Sequence, residues 1–230
     1  MTHSESLDAG SDLTSHDANA EITVLFVDLV RFTSLTSVHG DQAAADAAAA
    51  LYEITRNALD EDGRLVKTLG DGVLLTTSSP ATGLRCAATI IERLHELTMG
   101  LDARCGADHG SVIHQFGDVF GASVNLAARA AARAAPGTIA APRSFALSAS
   151  DLGLTATPLG PQNLKGFLDP IELFQIDPCV HPTRTATDPV CGMRLTFDQA
   201  IEPRQLDDRM IGFCSIRCAE IYRQSDAQSR

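Results

Sequence analysis

The sequence predicts an α/β (α+β) sandwich followed by a small cysteine-containing domain, and three observations predict it. "ITVLFV", Ile22–Val27, is a short continuous apolar run, the pattern of a strand buried on both faces. "RLVKTL" and "VLLTT" flank Gly70-Asp71-Gly72, as two strands flank a tight turn. Three of the six cysteines fall between Cys191 and Cys218, so cysteine density changes sharply late in the chain.

The elements follow in order. After Ile22–Val27 comes a long helical segment, with an alanine-rich helix over Asp41–Leu59 that ends before Gly63. The two strands around Gly70-Asp71-Gly72 are next, then a helix over Pro80–Thr98. "DARCGADHG" reads as a strand bent at Gly106, and Gly117–Gly137 carries an alanine-rich helix ending at Pro136-Gly137. "TIAAP" and "IELFQI" read as later strands. The order β-α-β-β-α-β, with additions, is that of a ferredoxin-like core. The polar, Pro- and Thr-rich stretch Asp177–Asp188 reads as a linker. The predicted division is a disordered lead-in over 1–20, a main domain over 21–177, a linker over 178–186 and a small cysteine-containing domain over 187–224.

The chain of 230 residues is 44% hydrophobic, enough for a packed core. Its net charge of −11 argues against nucleic acid or an anionic membrane as partner, since phosphate backbones are gripped by basic surfaces. No apolar run approaches the roughly 20 residues of a membrane helix, and the polar, acidic start lacks the features of a signal peptide. The expectation is a cytoplasmic protein with reduced thiols.

Asp28 follows the first strand, and Asp71 sits in the tight turn. Two carboxylates sharing a sheet rim repel unless a cation compensates, and Mg²⁺ or Mn²⁺ suits oxygen ligands of this kind. Lys67 leads into the same turn. Asn125 and Arg129 are one helical turn apart on a face otherwise made of small residues. A planar guanidinium suits phosphoryl oxygens. Taken singly, each of these residues also has an ordinary structural reading: a cap, a turn or a solvated charge.

Together, "FVDLVRFT", "VKTLGDGVL", "CGADHGSVIHQFGDVFGASVNLAARA" and "LKGFLDPIELFQI" resemble the catalytic domain of class III adenylate cyclases, over about Glu21–Ile176. The resemblance implies that Asp28 and Asp71 hold two Mg²⁺ or Mn²⁺ ions. It implies that Lys67 and Asp118 read the adenine of ATP, that Asn125 orients the ribose, and that Arg129 stabilises the phosphate in the transition state. Backbone amides of Leu29, Val30, Arg31, Phe32 and Thr33 would cradle the triphosphate, and Lys165 would contact phosphate. The family's site forms between two chains, which implies a homodimer, and the alanine face would let the helix approach its partner closely. The implied products are cyclic AMP and pyrophosphate. A guanylate cyclase and a non-catalytic nucleotide-binding, metal-sensing scaffold are the competing readings.

Cys191, Cys214 and Cys218 form a soft-metal set for Zn²⁺ or Cu⁺. "DPVCGM" and "FCSIRC" resemble the YHS domain, a relative of the TRASH metal-binding modules, with Gly212 where that family usually has an aromatic residue. The module is expected to couple metal or redox state to cyclase output. Cys179 and His181 are candidates for a fourth ligand. Cys86 and Cys105 lie in apolar contexts and are expected in the core.

Overall fold

The computed structural model describes residues 21–97, 101–178 and 185–228. The lead-in, Cys179 and His181 lie outside the described residues. The chain begins with β1 (Glu21–Leu29), α1 (Phe32–His39), α2 (Asp41–Ala58), β2 (Arg64–Thr68), β3 (Gly72–Thr77), α3 (Pro80–Glu96) and β4 (Ala103–Ser111). A hairpin of β5 (Ile113–Gln115) and β6 (Asp118–Phe120) leads to α4 (Ala122–Ala131). Then come β7 (Ile139–Pro142), α5 (Arg143–Asp151), β8 (Thr155–Gln162) and β9 (Ile171–Asp177). The C-terminal module holds β10 (Thr185–Thr187), β11 (Arg194–Thr196), β12 (Ile201–Leu206), β13 (Arg209–Phe213) and α6 (Ile216–Gln228).

The main sheet runs β2-β3-β1-β4-β7-β9-β8. Its first four strands pair antiparallel throughout, which is the ferredoxin-like arrangement that β-α-β-β-α-β predicted. β1 alternates between two cores. Leu25, Val27 and Leu29 join a cluster with Ala47 and Leu51 of α2 and Leu84, Ile90 and Leu94 of α3. Val24, with Ile22 and Phe26 packed alongside, faces Ala127 of α4. Helices therefore cover both faces, and the period-two alternation puts Asp28 on the α4 face.

Local chemistry explains the helices. In α2 the buried positions Ala44, Ala47, Leu51 and Thr55 form one stripe. At the start of α3 the Ser79 hydroxyl accepts from the Thr82 amide at 3.2 Å, and Pro80 takes the first helical position, where no amide donor is needed.

Several expectations need correction. β1 is longer than expected, since pairing with β3 and β4 carries it through Leu29, and β4 pairs through Gly106 without a register shift. The reason for Gly106 is α4. A Cβ on Gly106 would lie 2.0 Å from the Ala131 amide nitrogen and 2.1 Å from the Ala127 carbonyl oxygen. Ala127 and Ala131 thus serve close approach of α4 to its own sheet, while Ala122 and Ala132 lie exposed on the side of Asn125 and Arg129. α4 also stops at Ala131, before Pro136-Gly137. The hairpin β5–β6, helix α5 and strand β8 are additions that the sequence pattern did not mark.

The C-terminal module packs on the catalytic core, with Cys191, Met193, Leu195, Phe213 and Cys218 in the same cluster as α2 and α3. Gly212 is required there, since a Cβ would meet Ala200 Cβ at 2.7 Å. Arg194 reaches from the module to Asp102 at 3.6 Å. Asp102 Oδ2 is buried without a hydrogen bond. Burial raises the Asp102 carboxyl above its ordinary 3.8, while Arg194 and the Ala103 amide pull it down. The native state therefore binds more protons than the unfolded chain above pH 3.8, and stability falls as pH rises through that window. Arg194→Ala raises the carboxyl further. Its destabilisation is expected to be smaller at pH 5 than at pH 8, where it reaches about 1–2 kcal/mol, a value discounted for the exposure of Arg194. Urea unfolding at the two pH values measures this; an equal loss at both would remove Asp102 from the account.

Candidate active site

Asp28 is the next-to-last residue of β1, and its register partners are Gly72 on β3 and Arg104 on β4. The Leu29 amide donates to the Asp71 carbonyl at 3.0 Å, which ties the β2–β3 turn to the end of β1. The two aspartates therefore occupy adjacent backbone positions on one sheet rim. A side chain at position 72 would crowd the Val27 carbonyl at 3.0 Å and Asp28 Oδ1 at 3.5 Å, so Gly72 keeps this rim open.

Arg104 was missed by the sequence reading. Its Nη2 and Nε donate to Asp28 Oδ2 at 2.8 and 3.1 Å. The chain itself supplies a cation to this carboxylate and leaves Oδ1 outside the pair. The donor set of Asp28 and Asp71 consists of hard oxygens at neighbouring positions, which fits Mg²⁺ or Mn²⁺.

Lys67 on β2 and Asp118 at the start of β6 come together across the fold. Lys67 Nζ donates to Asp118 Oδ2 at 2.5 Å, and the Val119 amide donates to Oδ1 at 2.8 Å. The Lys67 hydrogen bond, with the Val119 amide behind it, holds the Asp118 carboxyl below the usual carboxylate range. Asp118 is thus an ionised acceptor at neutral pH, set beside a donor.

Asn125 and Arg129 stand on the exposed face of α4, opposite the face that packs on Gly106. With Lys165, Gly166 and Phe167 they border a cleft of about 260 Å³. Lys165 is brought there by its neighbour Leu164, which is buried against Leu126 and Ala130 of α4.

The expected phosphate cradle is shorter than five residues. The Leu29 amide bonds the Asp71 carbonyl, and the Val30 amide bonds the Asp102 carbonyl at 2.8 Å. These two amides hold the fold together and do not face a ligand. Arg31, Phe32 and Thr33 remain at the start of α1, where a helix leaves its first amides without intrahelical partners. Arg31 caps the helix in the left-handed region, with φ of 60°.

In the C-terminal module Asp188 is fully buried and accepts from the amides of Val190 (2.8 Å), Cys191 (3.3 Å) and Cys214 (2.8 Å). It knits the two cysteine loops together. Cys214 Sγ lies 3.5 Å from Cys191 Sγ and 3.5 Å from Cys218 Sγ. Cys86 and Cys105 are core residues as expected. Burial, with the Asp60 charge adding to it, pushes the Cys86 thiol up to about 12.

Residues 14–178 match the family model of the adenylate and guanylate cyclase catalytic domain. The chain belongs to that family. An uncharacterised protein of Mycobacterium tuberculosis is 35% identical over 163 residues, 70% of this chain and 43% of the relative. A pH-sensitive adenylate cyclase of the same species is 29% identical over 160 residues, 68% of this chain and 40% of the relative. An adenylate cyclase of Streptomyces coelicolor is 38% identical over 126 residues, 54% of this chain and 32% of the relative. The chain spans less than half the length of these relatives. Among solved structures, an adenylate/guanylate cyclase/hydrolase from Silicibacter pomeroyi is 27% identical with a TM-score of 0.60, covering 70% of this chain and 98% of that one. A monomeric adenylate cyclase from Trypanosoma brucei shares the fold, with a TM-score of 0.62 at 19% identity, covering 73% of this chain and 94% of that one. No helix among the described residues is long and apolar enough to cross a membrane.

Proposed function

We propose that this cyclase domain converts ATP to 3′,5′-cyclic AMP and pyrophosphate, at a site shared between two copies of the chain. The Lys67–Asp118 pair carries the ATP assignment. It sets a donor beside an ionised acceptor 2.5 Å away. Adenine offers a ring-nitrogen acceptor to the lysine and an exocyclic amine to the carboxylate. Guanine presents a carbonyl where adenine presents the amine. A carboxylate facing that carbonyl leaves two acceptors unpaired, at about 1–3 kcal/mol.

The remaining roles follow from placement. Asn125 orients the ribose, while Arg129 and Lys165 meet the phosphates from the cleft they border. Asp28 and Asp71 would hold Mg²⁺ or Mn²⁺, which when bound supplies the charge that acidifies the ribose 3′-hydroxyl and neutralises the pyrophosphate. Arg104 fixes the Asp28 carboxylate through Oδ2. The 3′-hydroxyl gives its proton to water, and the 3′-oxygen bonds to the α-phosphorus as the bond to pyrophosphate breaks in line, the leaving oxygen carrying the charge.

Two observations favour a homodimer. Asn125 and Arg129 face outward from α4, away from the sheet that carries Asp28. The β5–β6 hairpin exposes Ile113 (61%), Phe116 (94%) and Phe120 (46%), an apolar surface that a second copy would cover. We also read the C-terminal segment as a YHS-type module that binds a soft metal through Cys191, Cys214 and Cys218, on the strength of the sulfur spacing and the Asp188 bonds.

The test is product analysis by mass spectrometry after incubation with ATP or GTP, each with Mg²⁺ and with Mn²⁺. Cyclic AMP is expected, with ATP preferred over GTP roughly tenfold to hundredfold, and the product is lost in Asp71→Ala. No cyclic product in any condition would overturn the reading and favour a non-catalytic scaffold. A preference for GTP would reassign the Lys67–Asp118 pair.

A further inference from the structure

The three cysteines have a fourth neighbour that does not belong to their module. His39 is the last residue of α1, within the cyclase domain. Its Nε2 lies 3.4 Å from Cys214 Sγ and 3.8 Å from Cys218 Sγ. The ligand atoms of His39, Cys191, Cys214 and Cys218 all lie within 4.8 Å of one another. We propose that these four residues form one tetrahedral Zn²⁺ site that clamps the module onto α1 and so sets the nucleotide-binding loop.

Four of the six ligand separations are close to those of a zinc tetrahedron, and the other two lie within 4.8 Å. Bonds of about 2.3 Å to sulfur and about 2.0 Å to nitrogen, at the tetrahedral angle, place sulfurs about 3.8 Å apart and sulfur and nitrogen about 3.5 Å apart. The four close separations here are 3.5, 3.5, 3.4 and 3.8 Å. A disulfide needs sulfurs near 2.05 Å, and Cys214 stands equally far from both neighbours. Three thiolates and one imidazole are a recurrent structural zinc set. Asp188, bonded to the amides of Cys191 and Cys214, fixes the loops that carry two of the ligands.

The site lies where it can act on the nucleotide. The module touches α1 at both ends. At its C-terminal end His39 enters the cysteine cluster. At its N-terminal end the Arg31 side chain lies across Gly192, next to Cys191, where a Cβ would fall 2.0 Å from Arg31 Cδ. Only glycine leaves room for this crossing. Between these two anchors lie Phe32 and Thr33, whose amides are assigned to the triphosphate. Zinc would therefore fix the helix that starts at the phosphate site. This coupling, unlike the zinc site, rests on the cyclase reading.

The experiment uses the full chain, stripped of metal under reducing conditions and titrated with Zn²⁺ alone. One zinc per chain is expected, with a rise in Tm on binding. His39→Ala is expected to melt with the metal-free native protein and to bind zinc more than about 100-fold more weakly, since losing even an outer partner of a ligand costs 10–100-fold. Equal zinc affinity in His39→Ala would overturn the site. Independently of any variant's folding, X-ray absorption of the zinc-loaded native protein should give three sulfurs and the multiple-scattering pattern of one imidazole; three sulfurs without imidazole would overturn it. For the coupling, a non-hydrolysable ATP analogue should bind several-fold more tightly with zinc than without, and unchanged affinity would overturn that half. The metal readouts need no cyclase activity, so failure of the zinc site and failure of the cyclase reading are separable.

Discussion

Arg129→Ala is expected to lower kcat about a hundredfold to a thousandfold while leaving the Kd for an ATP analogue within a few-fold. The magnitude is that of removing one positioned donor from a developing anion. The split between kcat and Kd follows from the timing of the charge: the α-phosphoryl oxygens gain charge as the 3′-oxygen closes on phosphorus. On the proposed function, this is the charge that Arg129 serves. It sits on the exposed face of α4 and forms no ion pair with the described residues. Its removal should therefore change stability by no more than about 0.5 kcal/mol. Asn125→Ala should behave alike, since it borders the same cleft one helical turn earlier. Single-turnover rates and analogue binding measure the two quantities separately. Equal losses in both would make Arg129 a binding residue, and an unchanged rate would remove it from the site.

Much of this arrangement was legible in the sequence because the signals were local. An apolar hexapeptide, Ile22–Val27, announced the central strand, and Gly70-Asp71-Gly72 announced the turn that faces its end. The later edge of the sheet was not legible. β8 contains Pro158 and Pro161, which interrupt any strand pattern and are tolerated because β8 is the last strand of the sheet. α5 follows β7 directly, with no capping side chain to mark its start. The β5–β6 hairpin has three-residue strands and turns through Phe116 and Gly117, both at positive φ, of which only the glycine is a sequence cue.

The site was less legible than the fold where it depends on register. Two nearby carboxylates were read as needing an external cation, and Arg104 lies opposite Asp28 only because β1 and β4 pair in one register. The cradle that the resemblance implied over Leu29–Thr33 came out shorter for a related reason: the partners of Leu29 and Val30 are carbonyls of Asp71 and Asp102, distant in sequence. His39 was invisible because nothing in "LTSVHGD" marks a ligand. Its role exists only once the module docks on α1. The alanines of α4 were read as one intermolecular face, but Ala127 and Ala131 pack on Gly106 of the same chain and only the side of Ala122 and Ala132, with Asn125 and Arg129, is exposed.

Co-expression of Asp71→Ala and Arg129→Ala chains is expected to restore about a quarter of native activity, although each variant alone keeps about 1% or less. Random pairing makes half of the dimers mixed. In a mixed dimer one of the two sites combines the intact Asp71 of one chain with the intact Arg129 of the other, and the second site holds both defects. The design depends on neither substitution disturbing the fold. The bond from Leu29 to position 71 uses the Asp71 backbone carbonyl, which alanine retains. Arg129 faces outward and packs on nothing in the core. Copies carrying different tags, purified through both, isolate the mixed dimer, which should then show about half of native activity because every dimer holds one intact site. An inactive mixed dimer would mean that the carboxylates and the arginine serve one site within a single chain. In that case the outward face of α4 would need another explanation, and the exposed Ile113, Phe116 and Phe120 would no longer bear on catalysis.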